Sequence, residues 1–291
     1  MQFRAGKLTV RKIFEMEAAM PISMTFPQIT SADLARMRRW FWSDQLSEDA
    51  TKCALPLSTH SYLLQVKGQN VLIDTCNGNG KDRVIPFANQ LNTPYLDRLR
   101  AAGAAPEDIH LVMCTHLHCD HVGWNTRLEN GRWVPTFPNA RYLFTRVDFE
   151  FFRTHQEPVH APAYQDSVLP VVEHGLAQLV ETNHVALNEI GDGLWLQGMP
   201  GHSPGNCVIH ARSGGELVLF SGDTFHHPVQ LVRPDVHFFA DEDPVMAVES
   251  RTRLMNEHAD TATTVFPAHF PHTSGGRILR DGEAFRFQFI G

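Results

Sequence analysis

The sequence of 291 residues is short of several features that would place it in large and familiar classes. Basic residues are outnumbered: 25 Lys and Arg against 32 Asp and Glu give 25 − 32 = −7, and the cations form no block. Phosphate backbones are bound by clustered Lys and Arg, so this balance weighs against a nucleic-acid partner. The five cysteines, Cys53, Cys76, Cys114, Cys119 and Cys207, are odd in number and include no Cys-x-x-Cys pair. That spacing argues against a disulfide framework and against a cysteine zinc knuckle. No apolar run approaches the roughly 18 residues of a membrane span. Met1-Gln2-Phe3-Arg4-Ala5-Gly6-Lys7 leads into a mixed polar segment without the apolar core of a signal peptide. The expectation is a cytoplasmic protein with no membrane partner. Low-complexity segments are lacking too. With 43% hydrophobic and 20% charged residues, the composition is that of a globular chain able to fill a substantial core.

What the sequence has in quantity is histidine, 17 residues. His116-Leu117-His118-Cys119-Asp120-His121 packs four candidate ligands of one kind, imidazoles and a carboxylate, into six positions after the apolar run Leu111-Val112-Met113-Cys114. Such donors suit zinc. In a helix, residues two apart point to nearly opposite sides, so His116 and His118 could not share an ion. At a strand end or in a loop they converge, and Asp120 and His121 then reach toward a second point. One short loop therefore predicts two neighbouring metals at the end of a buried strand.

Along the chain, Leu8–Glu17 alternates as a strand. Ser31-Ala32-Asp33 is placed to cap a helix running toward Trp42. Met16, Met20, Met24, Trp40, Phe41 and Trp42 make this opening segment apolar. It reads first as extra core and a packing arm, with a substrate-pocket wall or a homodimer contact as the alternatives. A hairpin follows: Ser61–Val66, the turn Lys67-Gly68-Gln69-Asn70, and Val71–Asp74. Cys207–Ala211, the turn Arg212-Ser213-Gly214-Gly215 and Leu217–Asp223 repeat the pattern, and both hairpins end in an aspartate. Two similar β-rich halves delivering carboxylates to one edge would produce this. Tyr95–Gly103 reads as an amphipathic helix, Ile109–Cys114 and Arg141–Phe144 as strands, and Ser167–Leu179 as a Pro-interrupted helix or turn. Val185–Gly198 reads as more strand, and Pro244–Ala259 as a helix ending before Val265-Phe266-Pro267. Strands and helices alternating without long linkers predict one domain over residues 1–291, with 1–55 as an extension packed on it.

His-x-His-x-Asp-His after an apolar strand resembles the signature of the metallo-β-lactamase fold superfamily. The later sites Pro200-Gly201-His202-Ser203-Pro204-Gly205, Asp223 and His269 resemble that superfamily's further metal motifs, over roughly residues 56–275. The resemblance implies an α+β fold, the four-layer αββα sandwich, and two Zn²⁺ per chain, with other divalent metals as alternatives. Carried over by position, His116, His118 and His202 would hold the first ion, Asp120, His121 and His269 the second, and Asp223 would bridge them. Asp74 would stand behind the ligands and orient a histidine. His60, His226, His227 and His272, near the motifs, read as rim or supporting residues.

Two adjacent cations imply hydrolysis by a metal-bridging hydroxide, with Asp120 orienting it and handling a proton. His118 stands where the diiron flavoprotein branch usually carries glutamate, which turns the reading from redox chemistry. Glyoxalase-like thioester hydrolases lack the long apolar opening segment, and the tRNA-processing nucleases would favour a basic surface. Asp74–Asn79, Val122–Asn125 and Asp223–Pro228 resemble the quorum-quenching lactonase and methyl-parathion-hydrolase branch, nearest to YtnP-like lactonases. The expected substrates are therefore N-acyl homoserine lactones or similar lactones and esters. Phosphotriester or aryl ester hydrolysis is the alternative within the fold, and a non-hydrolytic metal-binding or redox protein the alternative outside that chemistry. Trp124, Phe225, Phe238, Phe239 and Phe270 are expected to wall an apolar acyl pocket. In many lactonases of this resemblance a tyrosine stands three residues after the bridging aspartate. Here the position is His226, expected either to donate to the developing oxyanion or to be a rim residue.

Overall fold

The computed structural model describes residues 2–41, 43–44, 46–66, 68–187 and 193–290. Trp42, Lys67 of the first hairpin turn and positions 188–192 of the predicted strand region lie outside the described residues. Among those described, two seven-stranded sheets carry most of the fold. The first runs, in spatial order, Gln2–Ala5, Leu8–Pro21, Ala54–Val66, Gln69–Ile73, Leu111–Met113, Arg141–Thr145 and Ala177–Val180. The second runs Val185–Leu187, Gly193–Gly198, Cys207–Ser213, Glu216–Gly222, Thr264–Pro267, Gly276–Asp281 and Ala284–Phe289. Neighbours pair antiparallel except for Gln69–Ile73 through Ala177–Val180 in the first sheet and Glu216–Gly222 with Thr264–Pro267 in the second.

Strand alternation sorts the apolar side chains into layers, because successive residues face opposite sides of a sheet. Leu63, Leu72, Val112 and Tyr142 point outward and pack with Leu99, Phe152, Val168 and Val171 of the covering helices. Leu64, Val71, Ile73, Leu111 and Leu143 point inward and meet Leu196, Ile209, Val218, Phe220 and Phe266 of the second sheet. On that sheet's far side Val208, Leu219 and Val265 pack on Leu254 and Met255 of the helix Pro244–His258. Helix, sheet, sheet and helix therefore lie in four layers, the expected αββα sandwich.

The opening segment is longer in strand and shorter in helix than its sequence predicts. Its strand continues to Pro21, and the helix spans Ser31–Met37. The cap is Thr30, not Ser31: its hydroxyl accepts from Asp33 N while Asp33 Oδ2 accepts from Thr30 N, a reciprocal capping box. Met20, Phe26, Leu34, Met37 and Phe41 make a fourth cluster with Val229, Val232 and Phe238. Helix Arg146–Thr154 and the closing hairpin Gly276–Asp281/Ala284–Phe289 are among the elements that the sequence pattern did not place, and the expected helix or turn over Ser167–Leu179 gives way to the strand Ala177–Val180.

The parallel strands matter most for function. Gln69–Ile73, Leu111–Met113 and Arg141–Thr145 all end at one edge, as do Glu216–Gly222 and Thr264–Pro267. There the two sheets are tied directly: Cys207 N donates to Thr115 O at 3.0 Å, Ser58 N to His269 O at 3.0 Å, and Tyr62 OH to Pro267 O at 2.6 Å. Among the described residues, no helix is long and apolar enough to cross a membrane.

Candidate metal centre

His116 to His121 leave the end of Leu111–Met113 as a loop that tightens into a single turn at Cys119–Val122. Asp74, at the matching end of Gln69–Ile73, holds that loop. Its carboxylate accepts from Thr115 N at 2.7 Å and Thr115 Oγ1 at 2.8 Å, and meets His121 Nδ1 at 2.9 Å. Asp148, from the helix Arg146–Thr154, ties the same loop to the next one. It accepts from Leu117 N at 3.2 Å, Ser203 Oγ at 2.9 Å and Gly205 N at 2.5 Å. Burial pushes its carboxyl up to about 6 against those three donors. Gly201 lets the His202 loop approach: at φ +129° a Cβ there would lie 2.1 Å from Ala247 N. Gly222 does the same before Asp223, where a Cβ at φ +48° would meet the Thr115 side chain at 2.7 Å.

The seven residues singled out in the sequence are brought together. His118 Nδ1 lies 3.0 Å from His116 Nε2 and 2.8 Å from His202 Nε2. His121 Nε2 lies 3.3 Å from His269 Nε2, with Asp120 oxygens 3.8 and 3.5 Å from the two rings. Asp223 stands between the groups. Its Oδ2 is 3.2 Å from His202 Nε2 and 3.9 Å from His116 Nε2, and its Oδ1 is 3.3 Å from His121 Nε2 and 3.2 Å from His269 Nε2. His116, His118 and His202, and separately Asp120, His121 and His269, form sets able to hold an ion.

Whether such ions fit is tested by the protons. The outer nitrogens are engaged: His116 Nδ1 at Thr115 Oγ1, His121 Nδ1 at Asp74, His202 Nδ1 at Asp241 Oδ1 (2.9 Å) and His269 Nδ1 at Ser58 O (3.1 Å). Carboxylate and carbonyl partners take the ring proton outward and leave the inner nitrogens as lone pairs that face one another. Asp223 Oδ1, fully buried, has no hydrogen-bond donor. Lone pairs of nitrogen and oxygen converging in this way, without thiolate, fit divalent cations of the zinc kind.

The electrostatics divide the rings, since burial keeps some neutral while neighbouring carboxylates favour the charged form of others. Burial holds His116 and His118 well below the usual imidazole range, which favours neutral ligands. For His202 burial works downward but is outweighed by Asp223 and Asp241, which lift it to about 9. Burial would raise Asp223, yet His121, His269 and His226 around it hold it well below the usual carboxylate range.

The chain belongs to the metallo-β-lactamase superfamily. The model of the Metallo-beta-lactamase superfamily matches residues 54–275, most of the chain. Among curated relatives, the N-acyl homoserine lactonase AiiA of Bacillus thuringiensis subsp. kurstaki is 23% identical over 236 residues, 74% of this chain and 82% of that one. Metallo-beta-lactamase domain-containing protein 1 of Mus musculus is 32% identical over 176 residues, 60% of this chain and 53% of that one. Among solved structures, the hydrolase AbOPH superposes with a TM-score of 0.81 at 21% identity, covering 100% of this chain and 97% of that one. The dizinc quorum-quenching lactonase AidC, solved with a product N-hexanoyl-L-homoserine, gives 0.80 at 21% identity, covering 100% and 98%. These likenesses establish the fold, and membership makes the chain a metal-dependent hydrolase.

The superfamily centre opens into a cavity of about 760 Å³, with His118, Asp120, His202, Asp223, His226 and His269 on its wall. Two of the five aromatics expected there, Phe238 and Phe239, do line it. Trp124, Phe225 and Phe270 do not: Trp124 stacks on Tyr95 in the helix-covered core, and Phe225 and Phe270 pack beyond the second sheet. Their nearness in sequence to the ligands did not fix their direction. The walls instead come from Ala18–Pro21 and Met24 of the opening segment and from Val84, Ile85, Pro86 and Phe87. The pocket-wall alternative for residues 1–55 is thus correct for Met20 and Met24, alongside the packing role.

His226 is buried, its ring stacked on Phe238 with centroids 3.8 Å apart and its Nε2 3.2 Å from Asp223 Oδ2. Neither ring nitrogen makes a formed hydrogen bond. Burial brings the ring down to about 4, so it is neutral at pH 7. His60 lies behind the site between Ser58 Oγ and Tyr62 OH, and His227 is a core residue edge-on to Phe41. His272 sits against Phe41 and Phe289. Sequence pattern alone missed Asp148 and Asp241, acids that stand in none of the ligand motifs.

Proposed function

We propose that this hydrolase uses two divalent metal ions, zinc foremost, to open lactones, with N-acyl homoserine lactones as the leading substrates. The observation that carries the proposal is a pair of ligand sets sharing Asp223 at the floor of a large cavity whose walls are mostly apolar. Lactonases among the relatives, and a neighbour solved with an acyl homoserine product, support the same reading. His116, His118 and His202 would hold one ion, Asp120, His121 and His269 the other, and Asp223 both. Ions so held supply a water nucleophile at neutral pH and polarise the ester carbonyl.

The protein's own groups then have distinct tasks. Asp74, Asp241 and the Ser58 carbonyl keep three ligand rings in one tautomer and one orientation. Asp120, more exposed than the other ligands, takes up the proton released at the nucleophile and returns it to the departing alkoxide. His226, neutral and lining the cavity beside Asp223, donates an N–H to the developing oxyanion. Met20, Met24, Phe87, Phe238 and Phe239 exclude water and receive an acyl chain. On this reading residues 1–55 belong to the same folded unit, which is supported by Ala18–Pro21 and Met24 on the cavity wall.

The deciding experiment joins metal analysis to a panel of an acyl homoserine lactone, an aryl ester and a phosphotriester. The expected result is close to two ions per chain, loss of turnover on chelation, and lactone as the preferred substrate. Lactone turnover should improve with acyl length over some range, since each buried methylene contributes about 0.8 kcal/mol. A flat response to chain length beside rapid phosphotriester cleavage would move the assignment to the methyl-parathion-hydrolase type. Binding of metal without any hydrolysis would end the enzymatic reading.

A further inference from the structure

The cavity wall carries one polar pair that the metal centre leaves unused. His160 begins the turn at Ala161–Ala163, and Glu242 follows the Asp241 that orients His202. His160 Nε2 and Glu242 Oε1 are 3.2 Å apart, and both side chains line the cavity. The His160 ring lies parallel to that of His118, with centroids 5.5 Å apart, and edge-on to Phe152. Glu242 N donates to the His202 carbonyl at 3.2 Å, which fixes the carboxylate beside the first ligand set. Ligand atoms of His118, His160 and Glu242 all lie within 4.8 Å of one another. By distance these three could hold a cation, but His118 already turns Nδ1 to His116 and His202. Of the carboxylates on the cavity wall, Asp120 and Asp223 face the ligand rings and Asp241 meets His202. Among the described residues the Glu242 carboxylate pairs with His160 alone, which leaves it spare acceptor positions.

An acyl homoserine lactone presents one demand that neither the metals nor the apolar walls satisfy. Its amide nitrogen is bonded to the ring carbon next to the ester carbonyl. With that carbonyl at the metal centre, the amide N–H meets the cavity wall beside the ligand rings, where His118, His160 and Glu242 stand together. Buried there without an acceptor, it would lose its hydrogen bond to water uncompensated. A carboxylate is the stronger kind of acceptor. We propose that Glu242, positioned by His160, accepts the amide N–H of the substrate, so that the pocket selects lactones bearing an acylamino group over plain alkyl lactones. This inference rests on the lactonase reading above. Glu242 keeps some access to water, so a substrate without the amide leaves it hydrated, and the discrimination is of moderate size.

The test compares kcat/KM for N-hexanoyl homoserine lactone with that for a γ-lactone carrying an alkyl chain of similar length and no amide. Glu242→Ala should lower the ratio of the two roughly ten- to hundredfold, as expected for a hydrogen bond to a charged group. Glu242→Gln, which keeps a neutral acceptor, should recover part of the loss, and His160→Ala should fall between parent and Glu242→Ala. Calorimetric binding of the ring-opened N-hexanoyl homoserine should weaken by a similar factor in Glu242→Ala, with metal content and melting temperature unchanged. A ratio that holds in Glu242→Ala while both lactones slow equally overturns the proposal. Loss of a metal ion from that variant overturns it as well and points to a cation site. A parent protein that opens neither lactone refutes the lactonase reading itself, and this inference with it.

Discussion

Glu15 offers the sharpest test of whether the opening segment is part of the working fold. It sits where the pairing of Leu8–Pro21 with Ala54–Val66 slips: Phe14 faces His60 and Met16 faces Thr59, leaving Glu15 as the extra residue of a bulge. Its side chain is buried as Ile13 two residues before it is, with Phe14 exposed between them, and it is 2% exposed. It accepts from Asn77 N at 2.8 Å, Asn77 Nδ2 at 3.0 Å, Gly78 N at 3.2 Å and Trp124 Nε1 at 2.6 Å. Burial nevertheless raises its pKa, against all four donors. Glu15→Ala would strand four buried N–H groups. At about 1–3 kcal/mol each the sum would exceed what proteins show, because water re-enters such gaps. The loss of one partner from a buried charged network, about 3–5 kcal/mol, is the better scale. At roughly 2–4 °C per kcal/mol, that predicts a fall in Tm of roughly 10 °C. Glu15→Gln keeps one acceptor oxygen and should fall between. The damage should also reach the metal loop, since Gly123 N donates to Cys76 O and Thr75 N to His121 O beside the stranded donors. Thermal unfolding with metal analysis on the same sample measures both effects. A Glu15→Ala protein that melts like the parent and keeps its metal would show residues 1–55 to be merely draped over the fold.

Three further outcomes are expected. Asp223→Ala should lower occupancy at both ion sites together, measured by elemental analysis; loss of one ion alone, with activity intact, would refute the shared carboxylate. His226→Ala, with both ions retained, should lower kcat by ~10²–10³ while KM changes little; an unchanged kcat would remove the donor role. Lys81, buried beneath Trp133 and paired with Asp166, has its pKa lowered by burial from the ordinary 10.5 to about 8. Between those values the unfolded chain holds the proton that the folded chain has released, so stability should rise with pH by up to ~3 kcal/mol; Lys81→Met should flatten that slope in denaturant titrations, and an unchanged slope would refute the assignment.

Much of the fold could be read because apolar periodicity and turn chemistry agreed. Gly68 and Gly214-Gly215 between alternating runs marked both hairpins, and the strands feeding the metal loop read as buried because they are apolar on both faces. The closing hairpin also carried a signal that went unused: Asp281-Gly282 stands between Ile278 and the alternating Phe285, Phe287 and Phe289. Glu15 could not have been read from its strand. A glutamate in an alternating segment is ordinarily a solvent-facing residue, and the donors that hold this one, Asn77, Gly78 and Trp124, come from segments distant in sequence.

The site divides along the same physical line. The cluster between His116 and His121 was legible as a candidate metal site because four nitrogen and oxygen donors compressed into six residues, just past a buried strand, suit a metal and little else. Asp223 and His269 each follow a strand of a sheet whose ends share an edge with the first, a weak signal alone that gained its meaning from the superfamily resemblance. The residues that hold the ligands were not legible. Asp148 and Asp241 reach the ligand loops from a helix and a turn that approach only through the packing of the four layers, and each lies far in sequence from the loop that it holds. The pocket shows the same limit from the other side. Trp124, Phe225 and Phe270 stand near ligands in the chain, but their side chains turn into the cores, while Met20, Met24 and Phe87 arrive from distant segments to form the wall. The first motif of the candidate site is thus local chemistry, carried by a few adjacent residues, whereas the gathering of His202, Asp223 and His269 onto it and the cavity wall are products of tertiary packing. Substitutions that redirect specificity should accordingly fall in Ala18–Met24, Val84–Phe87 and Phe238–Glu242, segments remote in sequence from His116–His121 that meet around the one cavity.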